Sequence, residues 1–422
     1  MKQAVVRAGP LLMLLSTACA APHAMPTAPY PSLPGWNSVA HLLDSLVADG
    51  AAPGAVVGVS YQGRHWFHGT GRLGNEDTTV PDSSTVYDLA SLTKVIGLTT
   101  AMMIGVNERR FSLDDPVVRF LHAFGAVTRA TPDRRAVTLR HLLTHSSGLP
   151  AWRALYQEST TRDEAFALAD STPLDTLPGT RFVYSDLGAI LLTQIVEQCF
   201  GERLDSLLQR RLFTPLRMTD TRYLPPAEWL PRIAPTEADP WRGRVLRGEV
   251  HDENAARLYG VSGHAGLFSS ARDLVRFADG LLAGPGGERE AGNREPNRPA
   301  GRKTGACSAV SPSGTARSPF PVPASLVLQF TTRQHLPPGS SRALGWDTPS
   351  GESSAGNRMS PASFGHTGFT GTSIWIDPSR CLAIVLLSNR VHPTRANARW
   401  TPVRALIANA VVEALPDVTP RH

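Results

Sequence analysis

The sequence predicts an α/β (α+β) protein in which one antiparallel sheet, flanked by helices, carries an inserted all-helical lobe. Three observations support that expectation. β-rich runs occur near both ends of the chain, at Ala55 to Tyr61, Arg64 to Gly69, Thr372 to Ile376 and Leu382 to Leu387. Helical periodicity fills the stretch between them, and 41% hydrophobic residues in a 422-residue chain are enough to bury a sizeable core.

The chain starts with Lys2 and Arg7, an apolar run from Leu11 to Leu15, and the small residues Ala18-Cys19-Ala20. This reads as a signal peptide over residues 1–20, too short to span a membrane. Ala18-x-Ala20 suits cleavage before Ala21, whereas Ser16-Thr17-Ala18-Cys19 is an imperfect lipoprotein box that would place a lipid anchor on Cys19. Export to the periplasm or beyond is expected, with membrane contact only through such an anchor.

A Pro-rich linker over 21–35 precedes the globular part, 36–415. Asn37 or Ser38 can cap a helix with Val39, Leu42, Leu43 and Leu46 on one face. Gln62-Gly63 joins the first two strands as a hairpin, and Asp377-Pro378-Ser379 turns between the last two. Helices are expected at Val137 to Thr144, Asp163 to Ala169, Asp186 to Cys199 and Arg272 to Leu282, and a last one starts at Thr401-Pro402. An α/β lobe is thus expected from 36–110 and 325–415, with a helical lobe over 111–283. The Gly, Pro, Ser, Arg and Glu content of 284–323 predicts a flexible insertion.

The formal charge of +6 comes from arginines scattered along the chain rather than clustered with aromatics, which argues against nucleic-acid binding. Setting Cys19 aside leaves Cys199, Cys307 and Cys381, an odd number, so buried free thiols are expected rather than a disulfide framework. Lysine is scarce: Lys2, Lys94 and Lys303 are the only ones. Arg stays protonated in proteins, whereas a desolvated Lys can give up its proton, so a lone internal lysine is a candidate for acid–base work.

Lys94 lies in Asp88-Leu-Ala-Ser-Leu-Thr-Lys-Val-Ile-Gly97, which opens a helix and puts Ser91 and Lys94 on one face. A serine hydroxyl needs a neighbouring base to become a nucleophile, and a helix N-terminus offers N–H groups to a developing oxyanion. Such a pair is usually solvated surface, but Leu89, Ala90, Val95 and Ile96 make these flanks apolar. Two further segments join it. Phe182-Val-Tyr184-Ser-Asp186 sets a phenol and a carboxylate at the mouth of a helix, and Phe364-Gly-His366-Thr367-Gly368-Phe369 runs into a strand.

With Ser-x-x-Lys, Tyr-x-Asp and His-Thr-Gly in that order, the chain resembles the class C β-lactamase and penicillin-binding serine hydrolase family. His141-Leu-Leu-Thr-His145-Ser-Ser-Gly-Leu-Pro150 and Gly263-His-Ala-Gly-Leu-Phe-Ser-Ser-Ala-Arg-Asp273 support the likeness, which covers Trp36 to Val412. The resemblance implies a β-lactamase/transpeptidase-like fold and an acyl-enzyme mechanism without cofactor or metal. Ser91 would be the nucleophile, Lys94 and Tyr184 would share the base role, and the Ser91 and Phe369 N–H groups would form the oxyanion hole. His366 and Thr367 would face the carboxylate end of the substrate, with Gly368 beside them.

Expected substrates are amides, peptides of D-Ala-D-Ala type, esters or β-lactams. The alternative is a catalytically weak penicillin-binding or sensing protein using the same pocket. Neither the physiological substrate nor the oligomeric state is readable.

Two departures bear on this. Asp186 stands where the family has Asn, and a carboxylate accepts but does not donate; it can pair with Lys94 instead. His366 stands where β-lactamases often have Lys, and a charged imidazole there predicts that activity on anionic substrates declines as pH rises through about 6 to 7. Lys303-Thr304-Gly305 also spells the third motif, but no strand follows it, so no function is assigned. Gly260-Val-Ser262-Gly-His264 lacks the last glycine of a nucleophile elbow. His251-Asp252-Glu253-Asn254 with His264 has metal-ligand chemistry but no His-x-x-x-His helix, and is read as a cleft wall where Asn254 or His264 touches substrate or serves structure.

Overall fold

The computed structural model describes residues 33–125, 133–283 and 320–416. The signal segment with Cys19, most of the linker and nearly all of the 284–323 insertion, with Cys307 and Lys303, lie outside the described residues.

Helix α1 (Trp36–Ala48) leads into β1 (Gly54–Tyr61) and β2 (Arg64–Gly71). The helix starts at Trp36 with Gly35 at its N-cap position, two residues before the first expected cap, and has no side-chain cap, so Asn37 and Ser38 sit inside its first turn. Gln62 and Gly63 both take positive φ, 51° and 75°, as a two-residue hairpin matching strand twist requires. Strand β3 (Val86–Asp88) precedes α2 (Thr99–Asn107), which is entered through a wider π-helical turn over Lys94–Leu98. Helix α3 (Asp186–Phe200) forms the centre of the helical lobe. Strand β4 (Arg222–Tyr223) and β3 flank β5 (Leu267–Ser270), and α4 (Ala271–Ala283) follows directly. The chain finishes with β6 (Phe364–Thr367), β7 (Ser373–Asp377), β8 (Leu382–Ser388) and α5 (Val403–Glu413).

The main sheet has strand order β2-β1-β8-β7-β6, all pairs antiparallel, so strands from both ends of the chain meet at its centre. Val57 pairs with Leu386 and Val59 with Ile384, and their side chains face α1 and α5. The alternate residues Val56, Val385 and Leu387 face the larger core shared with α4 and the helical lobe. With both faces covered, β1 and β8 are buried at every position, which is why they read as near-continuous apolar runs rather than as alternation. Helix α4 lies on the sheet against β1 and β8, although in sequence it ends the stretch assigned to the helical lobe.

Cys199 is a free thiol, but Cys381 is disulfide-bonded, which corrects the expectation of free thiols throughout. Cys381 occupies a turn with φ of 51° between β7 and β8 rather than the strand interior, and an odd cysteine count still permits one bridge. No helix among the described residues is long and apolar enough to cross a membrane.

Trp400 ties α5 to the β6–β7 turn: it is fully buried, and its Nε1 donates to the Gly371 carbonyl at 2.7 Å. Trp400→Phe keeps most of the packing and removes one of that carbonyl's two donors, the Ser388 hydroxyl at 3.3 Å remaining. We expect a loss of about 0.5–1.5 kcal/mol in urea-unfolding free energy, against about 3–5 kcal/mol for Trp400→Ala.

Candidate active site

The three motif segments converge on Ser91. The Asp88 carboxylate ends β3 and accepts from the N–H groups of Ala90 at 2.8 Å and His251 at 2.7 Å. Burial pushes this carboxyl up, with the two N–H groups opposing. The tight turn forces Ala90 to φ +46°, a left-handed conformation that costs a non-glycine residue about 1–2 kcal/mol. Backbone strain of this kind concentrates where geometry is functional. It delivers Ser91 to the mouth of the helix that carries Lys94.

Lys94 is buried, 3% exposed, and its Nζ has three acceptors. It donates to Ser91 Oγ at 3.0 Å and to the His264 carbonyl at 3.1 Å, and lies 2.7 Å from Asp186 Oδ1. Burial works against its charge, but Asp186 and Tyr184 outweigh it and hold the amine above the ordinary lysine range. The resting group is an ammonium.

Tyr184 packs against Lys94, with Nζ 4.9 Å from its ring centroid, and its hydroxyl is buried without a hydrogen-bond partner among the described residues. The His145 to Pro150 segment forms its cradle. The His145 ring lies 4.5 Å from the Tyr184 ring at a 40° tilt, its carbonyl accepts from Val183 N–H, and its Nδ1 accepts from Ser185 N–H at 3.1 Å. Burial, with Arg342 and Lys94 adding to it, keeps the imidazole neutral, as an Nδ1 acceptor requires. Ser185 caps α3 and donates to the Pro150 carbonyl at 2.7 Å.

The turn after β6 is latched to the strand end before Ser91. Thr370 Oγ1 donates to the Asp88 carbonyl at 2.7 Å, and Thr372 Oγ1 to that of Leu89 at 3.0 Å. A Cβ on Gly368 would sit 2.4 Å from the Leu89 oxygen, so only glycine allows this approach. Phe369 stands on the rim, stacked on His251 at 5.7 Å. Neither the Ser91 nor the Phe369 N–H has an acceptor among the described residues, leaving both donors available at the cleft.

Ser91 lines two adjoining cavities. One, of about 430 Å³, is walled by His366, Thr367, Asp347 and three arginines, Arg342, Arg390 and Arg404. Arg404 donates to the Gly368 carbonyl at 2.8 Å and Arg390 to that of Phe369 at 2.9 Å; neither has a carboxylate partner among the described residues. Burial, with Arg390 nearby, lowers the Arg404 guanidinium to about 10, still charged at neutral pH. Arg342 pairs at 3.7 Å with Asp347, the only acid in this wall. The second cavity, of about 390 Å³, is walled by Trp152, Tyr156, Asp186, Asp252, Glu253 and Arg395 among others.

His366 differs from expectation. It is 4% exposed, and its Nδ1 lies 2.8 Å from the Thr367 carbonyl. A carbonyl only accepts, so Nδ1 carries the hydrogen and Nε2 a bare lone pair. Burial, then Arg342 and Lys94, hold the imidazole well below its ordinary value. A charged role titrating between pH 6 and 7 is therefore corrected: the positive charge on this wall belongs to arginines.

Asn254 lines neither cavity. Its amide bonds the backbone of the 153–156 loop, Oδ1 accepting from Tyr156 N–H at 3.0 Å and Nδ2 donating to the Arg153 carbonyl at 2.9 Å. His264 is 1% exposed, lines the second cavity and is held by Asp252 at 2.8 Å and Ser262 at 2.7 Å, while its carbonyl lies under Lys94. The paired His251 and Glu237, 2.9 Å apart, join Arg395 in a buried network, and no metal-binding cluster is present among the described residues. Sequence reasoning missed Arg342, Arg390 and Arg404, which stand in separate segments and meet only through the sheet order.

Residues 39–409 match the family described as Beta-lactamase. An Escherichia coli K12 protein named "Putative D-alanyl-D-alanine carboxypeptidase" is 29% identical over 348 residues, 76% of this chain and 72% of that protein. A like-named protein of Salmonella enteritidis is 30% identical over 349 residues, 76% of this chain and 73% of its own length. Among solved structures, a penicillin-binding protein homologue from Caulobacter crescentus superposes with a TM-score of 0.67 at 17% identity, covering 90% of this chain and 98% of that one. A β-lactamase/D-alanine carboxypeptidase from Yersinia pestis gives 0.63 at 17% identity, covering 90% and 99%.

The Lys94 cluster yields a direct test. With only Lys2, Lys94 and Lys303 in the sequence, lysine labelled with ¹³C at Cε gives a readable titration by NMR. Asp186→Asn removes the countercharge and leaves burial unopposed by it, so the Lys94 midpoint should fall by more than about one unit. An unchanged midpoint would show that Asp186 does not control the amine.

Proposed function

The chain belongs to the Beta-lactamase family, and from that membership we propose that this serine hydrolase acts through an acyl-enzyme formed on Ser91. The observation that carries the reading is the ammonium of Lys94, 3.0 Å from Ser91 Oγ and 2.7 Å from Asp186, under the ring of Tyr184. Because Lys94 already holds its proton, Tyr184 is the group that takes the proton of Ser91. Ser91 Oγ attacks the carbonyl, and the Ser91 and Phe369 N–H groups receive the oxyanion. Tyr184 returns the proton to the leaving group, and water then hydrolyses the ester.

The arginine wall supports a leaving group that carries a carboxylate, with Arg342, Arg390 and Arg404 in the place first given to His366 and Thr367. A terminal D-amino acid fits that description, in keeping with the names of the relatives. Action on a cell-wall peptide calls for export, which the Lys2–Ala20 segment supports, with Cys19 as the lipid site if the second cleavage reading holds.

Intact-protein mass spectrometry after exposure to a fluorophosphonate and a fluorescent penicillin tests the nucleophile. Wild type should gain one adduct of each and Ser91→Ala none, with turnover falling about a thousandfold or more. Labelling that persists in the variant would remove Ser91 from its role. One observation favours a second reading, a slow penicillin-binding or sensing protein: the Asp186 carboxylate, which locks Lys94 as a cation. A penicillin adduct stable for hours would select that reading, whereas rapid release would select the hydrolase.

A further inference from the structure

The wall of the arginine-lined cavity presents an unusual sequence of hydrogen-bonding groups. The Ser91 and Phe369 N–H groups at one end and the guanidinium groups of Arg342 and Arg404 at the other are all donors. His366 lines the same cavity and brings an acceptor to it: Nε2 is a bare lone pair, since Nδ1 spends its hydrogen on the Thr367 carbonyl at 2.8 Å. Nε2 is buried and has no partner among the described residues, although His366 is only 4% exposed. The nearest charged groups, Arg342 and Lys94, are themselves donors, yet neither bonds it; Arg342 Nη1 is also left without an acceptor. A buried acceptor without a donor is costly in the free protein, and a ligand that supplies the donor recovers the cost.

We propose that His366 Nε2 accepts a hydrogen bond from the leaving-group nitrogen of the scissile bond, making the site selective for amides that carry an N–H over esters and β-lactams. The inference rests on Ser91 being the nucleophile. An acyl amino acid presents, in order, a carbonyl oxygen, an amide N–H and a carboxylate: acceptor, donor, acceptor. The cavity is lined by the complementary set: backbone N–H donors, the Nε2 acceptor and guanidinium donors. Neither the carbonyl nor the carboxylate can satisfy Nε2, because both only accept.

During reaction the Ser91 Oγ–carbon bond forms, the carbon–nitrogen bond breaks with its electron pair going to nitrogen, and the proton held by Tyr184 joins that nitrogen. The nitrogen keeps its original hydrogen, hydrogen-bonded to Nε2 throughout, which fixes that nitrogen as it turns from planar to tetrahedral. In an ester an oxygen lone pair would face the Nε2 lone pair, and the ring nitrogen of a β-lactam carries no hydrogen. His366 is thereby a specificity residue, distinct from the groups that move protons.

The test compares acetyl-D-alanyl-D-alanine with acetyl-D-alanyl-D-lactate, which differ only by N–H against O. In His366→Phe, which keeps a ring but no acceptor, kcat/KM for the amide should fall about tenfold while that for the ester stays within about twofold. An equal fall for both substrates, or a larger fall for the ester, would overturn the proposal and leave His366 a packing residue. A readout free of any change at position 366 uses ¹⁵N-histidine-labelled Ser91→Ala protein. The amide, but not the ester, should shift the His366 Nε2 resonance upfield; equal response to both would overturn the inference. Failure of Ser91 labelling in the wild type would instead refute the underlying assignment of the nucleophile, which separates the two ideas.

Discussion

A buried ammonium ion with three acceptors is the constraint around which the site is arranged. Lys94 lies where an unpaired charge would be untenable, and removing one partner of such a pair costs about 3–5 kcal/mol. Each acceptor comes from a different part of the chain: the Ser91 hydroxyl from its own helix, the His264 carbonyl from the segment before β5, and Asp186 from the mouth of α3. The charge therefore fixes the helical lobe against the α/β lobe at the cleft. The acceptors are in turn supported from behind, with Asp252 and Ser262 holding His264 and the Ser185 cap setting the start of α3.

A second set of contacts does the same for the opposite wall. The β6–β7 turn exposes its carbonyls to Arg390, Arg404 and Trp400, while its threonines reach the carbonyls of Asp88 and Leu89. With its acceptors occupied, the turn holds Phe369 on the wall of the same cavity that Ser91 lines. The cleft is also electrically polarised. Three arginines and one aspartate wall one cavity, while Asp186, Asp252 and Glu253 against Arg395 wall the other.

Much of this was legible in the sequence, and the reasons are specific. Strands β1 and β8 are long, bounded by turn residues and buried on both faces, so their apolar runs are unmistakable. Ser91, Lys94 and Tyr184 declare themselves because short motifs fix residues that are close along the chain or end a helix. The arginines do not, since Arg342, Arg390 and Arg404 become neighbours only when the sheet closes, and nothing local marks an arginine as facing a cavity in a chain rich in them. The state of His366 was likewise hidden: its charge depends on burial and on Arg342, a neighbour from another segment, while its tautomer depends on a carbonyl next door. Asn254 looked like a ligand because its residue type is versatile, but both ends of its amide are consumed by a loop about 100 residues earlier.

The pairing of β1 with β8 has a consequence for how the molecule is made. Ala55 finds its partner at Ser388, so during synthesis the first hairpin leaves the ribosome with an unpaired edge and must wait for nearly the whole polypeptide before that edge is closed. The helical lobe, whose contacts are more local, can organise in the interval. Until the last strands arrive, the apolar faces of β1 stay open to solvent, which makes the nascent chain a client for holding factors and exposes it to aggregation if elongation stalls.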